Sequence, residues 1–302
     1  MTKTKSVKTK AISLSRRSKD MRLQKPDIIG ILDKVDDLRR RMDALHSSDD
    51  PSFLKNVRDF YSVSTTWSSN ALEGNTLNET ETKIVIEDGI TVGGKPVRDI
   101  LEAVGHAKAY QFLWECTQRD IEIEDIFKLH SLFYSLVDSQ NAGKLRSVPV
   151  YITGSNYIPP KPSTLFKHME ALEHWMNGNA LQMHPILYAA RLHLAIAEIH
   201  PFIDGNGRTA RLAMNMILVK NGYVPVSIPP ILRNEYLSTL EVAHPHIDEA
   251  HEKRGKNGVE RFEYFIAERV YESEKDFLRF LAPNYKKNID PSESDAPWME
   301  PD

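Results

Sequence analysis

A single cysteine, Cys116, stands in a chain of 302 residues, which excludes an intrachain disulfide. So sparing a use of thiols fits a reducing compartment, and the cytoplasm is the expected location. Long hydrophobic runs are missing too. None nears the roughly 20 residues that cross a bilayer, and the first residues hold no signal-peptide apolar region, so no membrane partner is expected. The chain does not repeat itself at solenoid periods, nor does it space cysteines and histidines as zinc-binding folds do. Neither sign of charge is in large excess, since 39 basic against 42 acidic residues leave a net charge of -3. The body therefore offers no electrostatic stripe for nucleic acid. What remains is an ordinary globular composition, 41% hydrophobic, in a chain long enough to bury one large core or two small ones.

The pattern from about Pro26 onward is mostly helical. Ile29, Leu32, Val35 and Leu38 recur at spacing three, as one amphipathic face requires. Residues 53–72 predict a second helix that stops at Gly74-Asn75, and Thr76-Leu77-Asn78-Glu79 reads as a capping box opening a third. Residues 89–97, with three glycines and a proline, read as a loop, followed by helices over 98–116 and 124–137. Ser163 is placed to cap a helix carrying Leu165, Met169, Leu172 and Met176, and Pro185 opens another that runs to His200. Leu212, Met216 and Val219 mark a helix ending at Asn221-Gly222; residues 236–244 and 260–281 predict two more, with a polar, glycine-containing insertion between them. One segment departs from this rule. Residues 148–153 and 157–158 flank Gly154-Ser155-Asn156 and read as a short β-hairpin, which must rest on helices or on a ligand because a lone hairpin is marginal in water. The expected fold class is all-α: a helical core, additional N-terminal helices and one β-hairpin flap.

The richest stretch in chemistry is His200-Pro201-Phe202-Ile203-Asp204-Gly205-Asn206-Gly207-Arg208-Thr209-Ala210-Arg211. Gly205 and Gly207 reach backbone conformations closed to most residues, and successive N–H groups there can form an anion-binding concavity at a helix N-terminus. Arg208 and Arg211 share one face of the first turn, where a cation opposes the helix dipole; a polyphosphate would reverse that penalty. Asp204 can hold Mg²⁺ together with substrate phosphates, which needs only one or two carboxylates. His200, with an ordinary pKa near 6.5, suits taking a proton from a hydroxyl.

These twelve positions, His-Pro-Phe-x-Asp-Gly-Asn-Gly-Arg-x-x-Arg, resemble the signature of Fic-domain (Fido superfamily) proteins. The resemblance implies a nucleotidyltransferase that moves AMP from ATP to a Ser, Thr or Tyr hydroxyl of a target protein. It implies His200 as the base and Asp204 as the Mg²⁺ ligand. Gly205, Asn206, Gly207, Arg208, Thr209, Ala210 and Arg211 would line the nucleotide. The flap at Gly154, Ser155 and Asn156 would register the target segment over the site. Tyr236 falls where the family has an aromatic beside the adenine, and His244 where relatives often have Asn.

Ser69-Asn70-Ala71-Leu72-Glu73-Gly74 resembles the family's inhibitory motif, Ser/Thr-x-x-x-Glu-Gly/Asn. Ser69 and Glu73 lie on one helix face. Glu73 at a helix C-terminus and Arg211 at a helix N-terminus each oppose the local dipole, and pairing them relieves both conflicts. Glu73 would then hold the arginine that should take the γ-phosphate. In some relatives this glutamate positions water to remove AMP, so activity in both directions stays open, and relatives with such an N-terminal brake often form homodimers. The regions expected are a disordered basic tail (1–25), an N-terminal helical region carrying the inhibitory helix (26–120), the catalytic domain (121–272), and a helix end with an acidic tail (273–302).

Three rivals remain. One is a transferase on the same fold that moves UMP or phosphate, although kinase-type relatives lack the second arginine found here as Arg211. Another is a nucleic-acid-binding regulator acting through the basic N-terminal tail. The third is a catalytically silent interaction module, against which His200 and Asp204 argue. The target protein and the preference for adenine are not written in any motif.

Overall fold

The computed structural model describes residues 26–45, 51–179, 182–244 and 249–285. The basic tail and the acidic end expected from the sequence lie outside the described residues. Ten α-helices run through these segments: α1 Ile28–Leu45, α2 Pro51–Ala71, α3 Glu79–Ile86, α4 Val97–Cys116, α5 Ile123–Tyr134, α6 Leu165–Asn179, α7 Pro185–Ile199, α8 Asn206–Lys220, α9 Arg233–Ala243 and α10 Glu249–Tyr285. None of the described helices is long and apolar enough to cross a membrane.

The centre is α8, in which every residue except Gly207 and Lys220 is buried. A helix buried all round must satisfy its polar groups internally. Asn215 does so by holding Val226 through both amide atoms (3.0 and 2.7 Å). α7 packs on α8 as the central pair, with α4, α5 and α2 on other faces of α8 and α10 behind α7. α1 lies on α10, so one hydrophobic cluster extends from Ile31 to Leu281 and takes in both the N-terminal region and the central helices. Two crossings depend on missing side chains. A Cβ at Gly105 would overlap the Phe133 carbonyl where α4 meets α5, and one at Gly258 would overlap the Val242 carbonyl where α9 meets α10.

Several local expectations shift. The capping box is Asn78 with Glu81, not Thr76 with Glu79. Thr76 is taken by Asp99 of α4, which accepts from its amide and hydroxyl at 2.7 and 2.6 Å. α5 stops at Tyr134, three residues early, and Ser163 sits within a 3-10 turn, Pro162–Thr164, ahead of α6. The insertion expected before residue 260 is helical from Glu249.

The hairpin is the main correction. No strand pairing joins residues 148–158. A turn at Ile152–Ser155, closed by one backbone bond of 3.1 Å with Gly154 at φ 82°, is the only hairpin feature present among them. Pro149, Pro159 and Pro160 carry no N–H for a ladder. The arms are instead tied from outside, by Arg146 donating to the carbonyls of Val148 (3.0 Å) and Pro160 (2.6 Å).

One buried acid sets a pH dependence. Glu274 of α10 is fully buried, with Oε1 accepting from the Val224 amide at 3.2 Å and Oε2 without a hydrogen-bond partner. Burial pushes its pKa from 4.5 up to about 8, so the folded protein keeps a proton that the unfolded chain releases. Its contribution to stability therefore falls as pH rises between those two values, by up to about 1.4 kcal/mol per pH unit, and levels off above the upper one. In urea unfolding between about pH 5 and 9, Glu274→Gln should gain steadily on the parent protein and then hold its lead. A difference that does not change with pH would rule this out.

Candidate active site

His200 terminates α7 in the left-handed region (φ 50°, ψ 56°), the only described non-glycine residue with positive φ. Such a conformation costs of order 1 kcal/mol and persists only when neighbours impose it. Arg146, itself buried, does so by donating from Nε to the His200 carbonyl (2.8 Å) and from its amide to Pro201 (2.9 Å). His200 Nδ1 lies 3.1 Å from the Ala197 carbonyl. A carbonyl only accepts, so Nδ1 carries the proton and the lone pair is left on Nε2. Burial holds the imidazole below its ordinary 6.5, with the Ala197 contact opposing and the Arg146 charge reinforcing it. At neutral pH His200 is an uncharged base.

The loop that follows is stapled. Asn206 receives the Phe202 amide on Oδ1 and donates from Nδ2 to the Phe202 carbonyl, both at 2.9 Å. Beneath it His130 stacks on Phe202, with centroids 3.8 Å apart and planes 2° apart. His130 Nδ1 accepts from the Gly143 amide (2.8 Å), so Nε2 bears the proton and donates to the Asp204 carbonyl (3.0 Å). Burial lowers its pKa to about 4, keeping it neutral in that role. Gly205 turns the chain at φ 77° where a side chain would strike the Phe133 ring.

The helix then begins, and the amides of residues 206–208 have no carbonyl one turn back. An anion from the same chain lies beside this helix start. The Glu73 carboxylate lies against Gly207, in the space a Cβ there would occupy. Its Oε1 meets Arg211 Nη2 at 2.7 Å. Ser69 holds the same guanidinium through its hydroxyl (3.0 Å from Nε) and its carbonyl (2.8 Å from Nη2). Partial burial raises the Glu73 pKa, but the Arg211 and Arg208 charges outweigh it and leave the group below its ordinary value, ionised.

Asp204 is ionised as well. Burial works against the charge, while Arg208, the Gly205 amide (2.7 Å) and Arg98 favour it, and the net shift is downward. Arg98 Nη2 lies 2.6 Å from Asp204 Oδ2. Arg208 is buried, with its guanidinium 4.4 Å from the Phe133 ring centroid, and Glu102 accepts from its Nη1 at 3.0 Å.

Four expected contact residues take other positions. Tyr236 is buried, its hydroxyl accepting from Arg211 Nη1 (3.2 Å) and lying 2.9 Å from His193 Nε2, so its ring presents no open face to a base. Thr209 and Ala210 are fully buried, and both the hydroxyl and the amide of Thr209 donate to the Gly205 carbonyl (3.0 Å each). They lie behind the cradle rather than in it. His244 is buried and stacks on Tyr157 of the flap at 4.4 Å. Ser155 donates to Glu241 of α9, which also accepts from the Asn156 amide (3.0 Å), so α9 clasps the flap tip at Ser155 and Asn156, beside Gly154. Arg98, Glu102, His130, Arg146 and Glu241 carry no sequence motif and emerge only here.

Among the described residues no group of three or more His, Cys, Asp or Glu is arranged to hold a metal. The lone ionised Asp204 beside an anion cradle fits Mg²⁺, which takes its other ligands from phosphates and water, and does not fit zinc.

Residues 120–218 match the family model described as Fic/DOC family. The chain is 34% identical over 226 residues to a protein adenylyltransferase Fic of Drosophila virilis, which covers 72% of this chain and 46% of that one. Against the Drosophila melanogaster protein of the same name identity is 35% over 216 residues, 70% of this chain and 43% of that one. The chain thus spans less than half the length of these curated relatives. A Fic-1 structure from C. elegans superposes with a TM-score of 0.71 at 27% identity, over 91% of this chain and 78% of that one. A Fic domain containing signaling protein from Bacteroides thetaiotaomicron gives the same score at 26% identity, over 85% and 98%.

Proposed function

This chain belongs to the Fic/DOC family, and on that premise we propose that it is a protein adenylyltransferase held in check by its own Glu73. The observation that carries the reading is the ionised Glu73 carboxylate lying against Gly207 and paired with Arg211 at the first turn of α8, in a site that also holds a neutral His200. A helix N-terminus whose arginine is paired with an internal anion can take an external anion when the internal one leaves.

In this reading the triphosphate of ATP takes the place of Glu73 at the first turn of α8, with Arg208 and Arg211 facing its negative charge. Asp204 would hold Mg²⁺, which would offset phosphate charge when bound. A target Ser, Thr or Tyr hydroxyl gives its proton to His200 Nε2 as its oxygen bonds to the α-phosphorus and pyrophosphate departs. Tyr151 and Ile158, exposed on the arms of the flap, offer apolar contacts to the target segment. Removal of AMP, with Glu73 orienting the attacking water, belongs to the same proposal. The catalytic unit is taken as residues 121–272, with 26–120 supplying the brake; a cytoplasmic location and a homodimer accompany this reading.

The test is mass spectrometry of lysate proteins incubated with ATP and the Glu73→Gly protein, with His200→Ala as control. AMP on hydroxyl side chains, present with the first and absent with the second, is the expected outcome. UMP or phosphate adducts from mixed nucleotides would make the chain a different transferase, and no adduct at all would overturn the proposal.

A further inference from the structure

The charges around Asp204 close into a ring. Asp204 Oδ2 meets Arg98 Nη2 at 2.6 Å, and Arg98 Nε meets Glu102 Oε1 at 3.0 Å. Glu102 Oε2 meets Arg208 Nη1 at 3.0 Å, and Arg208 Nη2 returns to Asp204 Oδ1 at 3.6 Å. Two guanidiniums and two carboxylates alternate, so the ring is neutral and both oxygens of Asp204 already face a cation. A dication added to this arrangement would meet two positive groups at contact range, which is costly in a partly buried setting.

The members of the ring are not equally fixed. Arg208 has 4% of its side chain exposed and is gripped by Glu102, by Asn70 Oδ1 (3.4 Å) and by the Phe133 ring. Glu102, 7% exposed, also accepts from Asn75 Nδ2 at 3.2 Å. Arg98 has 55% of its side chain exposed, and Asp204 43%. Arg98 also occupies the first turn of α4, where a cation is disfavoured by the helix dipole and stays only because carboxylates hold it. Arg98 covers Oδ2 of Asp204, which the Tyr134 hydroxyl also approaches at 3.5 Å.

We infer that Arg98 is a placeholder for the metal ion on Asp204, released when Mg²⁺ binds with the nucleotide and kept nearby by its Nε contact to Glu102. This makes Arg98 a positioning residue. It holds the Asp204 carboxylate turned toward it in the metal-free state, and it sets the metal concentration at which the site loads. The inference rests on Asp204 being the metal carboxylate.

The experiment compares calorimetric affinity for a non-hydrolysable ATP analogue in Mg²⁺ and in EDTA, for the full chain and for Arg98→Ala, Arg98→Gln and Asp204→Asn. Taking the ratio of the two affinities cancels any general loss of positive charge near the phosphates. Arg98→Gln retains a hydrogen-bond donor for Glu102 if the alanine variant folds poorly. The expected result is a ratio about fivefold larger in both Arg98 variants, the scale of one partly exposed ion pair, with the ratio in Asp204→Asn falling toward unity. If the Arg98 variants match the parent while Asp204→Asn collapses, Arg98 is not a placeholder and the metal assignment stands. If Asp204→Asn keeps the parent ratio, the metal assignment falls and the inference falls with it.

Discussion

Replacing Glu73 with glycine is expected to raise AMP transfer by about 10- to 100-fold. The estimate follows from what the carboxylate does. It forms a charged hydrogen bond of 2.7 Å with Arg211 Nη2 and lies on the backbone at Gly207. Hydrogen bonds to charged groups contribute about 1.5–3 kcal/mol, and a triphosphate must displace this one before Arg211 can face it. Removing the carboxylate does not disorder the arginine. Ser69 still accepts from Nε and Nη2, and Tyr236 still accepts from Nη1. The guanidinium is left oriented, with one donor edge turned to the cradle. Glu73 keeps 38% of its side chain exposed, so its loss should cost little stability. Transfer of label from α-labelled ATP to the chain itself measures the effect. A Glu73→Gly protein no faster than the parent would show that the Glu73–Arg211 pair is structural and no brake. Glu73→Gln, which keeps a donor–acceptor group without the charge, should fall between the two.

What the sequence disclosed depended on how far apart the cooperating residues lie along it. The proposed base, the proposed metal carboxylate, the helix start and both arginines fall within twelve consecutive positions, so the joint chemistry proposed for them was legible there. The pairing of Glu73 with Arg211 was legible for another reason: each opposed the dipole of its own helix end, and a conflict at two places suggested one remedy. Arg98, Arg146, His130 and Glu241 act on partners 106, 54, 74 and 86 residues away. Pairs so separated leave no periodic trace, and each of these residues alone reads as an ordinary surface or core side chain. The flap misled because extended backbone and strand share one pattern of alternating residues. Whether a ladder forms depends on free N–H groups, and Pro149, Pro159 and Pro160 remove several. Tyr236, expected beside the adenine, packs in the fold against Phe262 and Phe265 of α10, contacts that no motif records.

The second large effect concerns His200. His200→Ala should lower transfer by about 10²- to 10⁴-fold in the Glu73→Gly background, the range that a positioned general base supplies. ATP affinity should hold, because the cradle and arginines are untouched. The pH profile gives the sharper test. Burial holds the imidazole below 6.5, so the neutral form that accepts the proton is already dominant at pH 7. The rate should therefore be flat from about neutrality upward and fall only on the acid side, through an apparent pKa below 6.5. The nearby Glu73 charge raises the His200 pKa. Removing it should move the acid limb further down, so Glu73→Gly and the parent should differ in the position of that limb as well as in rate. An acid limb centred above 6.5 in both proteins would mean that the titrating group is not this buried imidazole, and the assignment of His200 as the base would fail. The shift between the parent and Glu73→Gly profiles thus reads the charge coupling of Glu73 to His200.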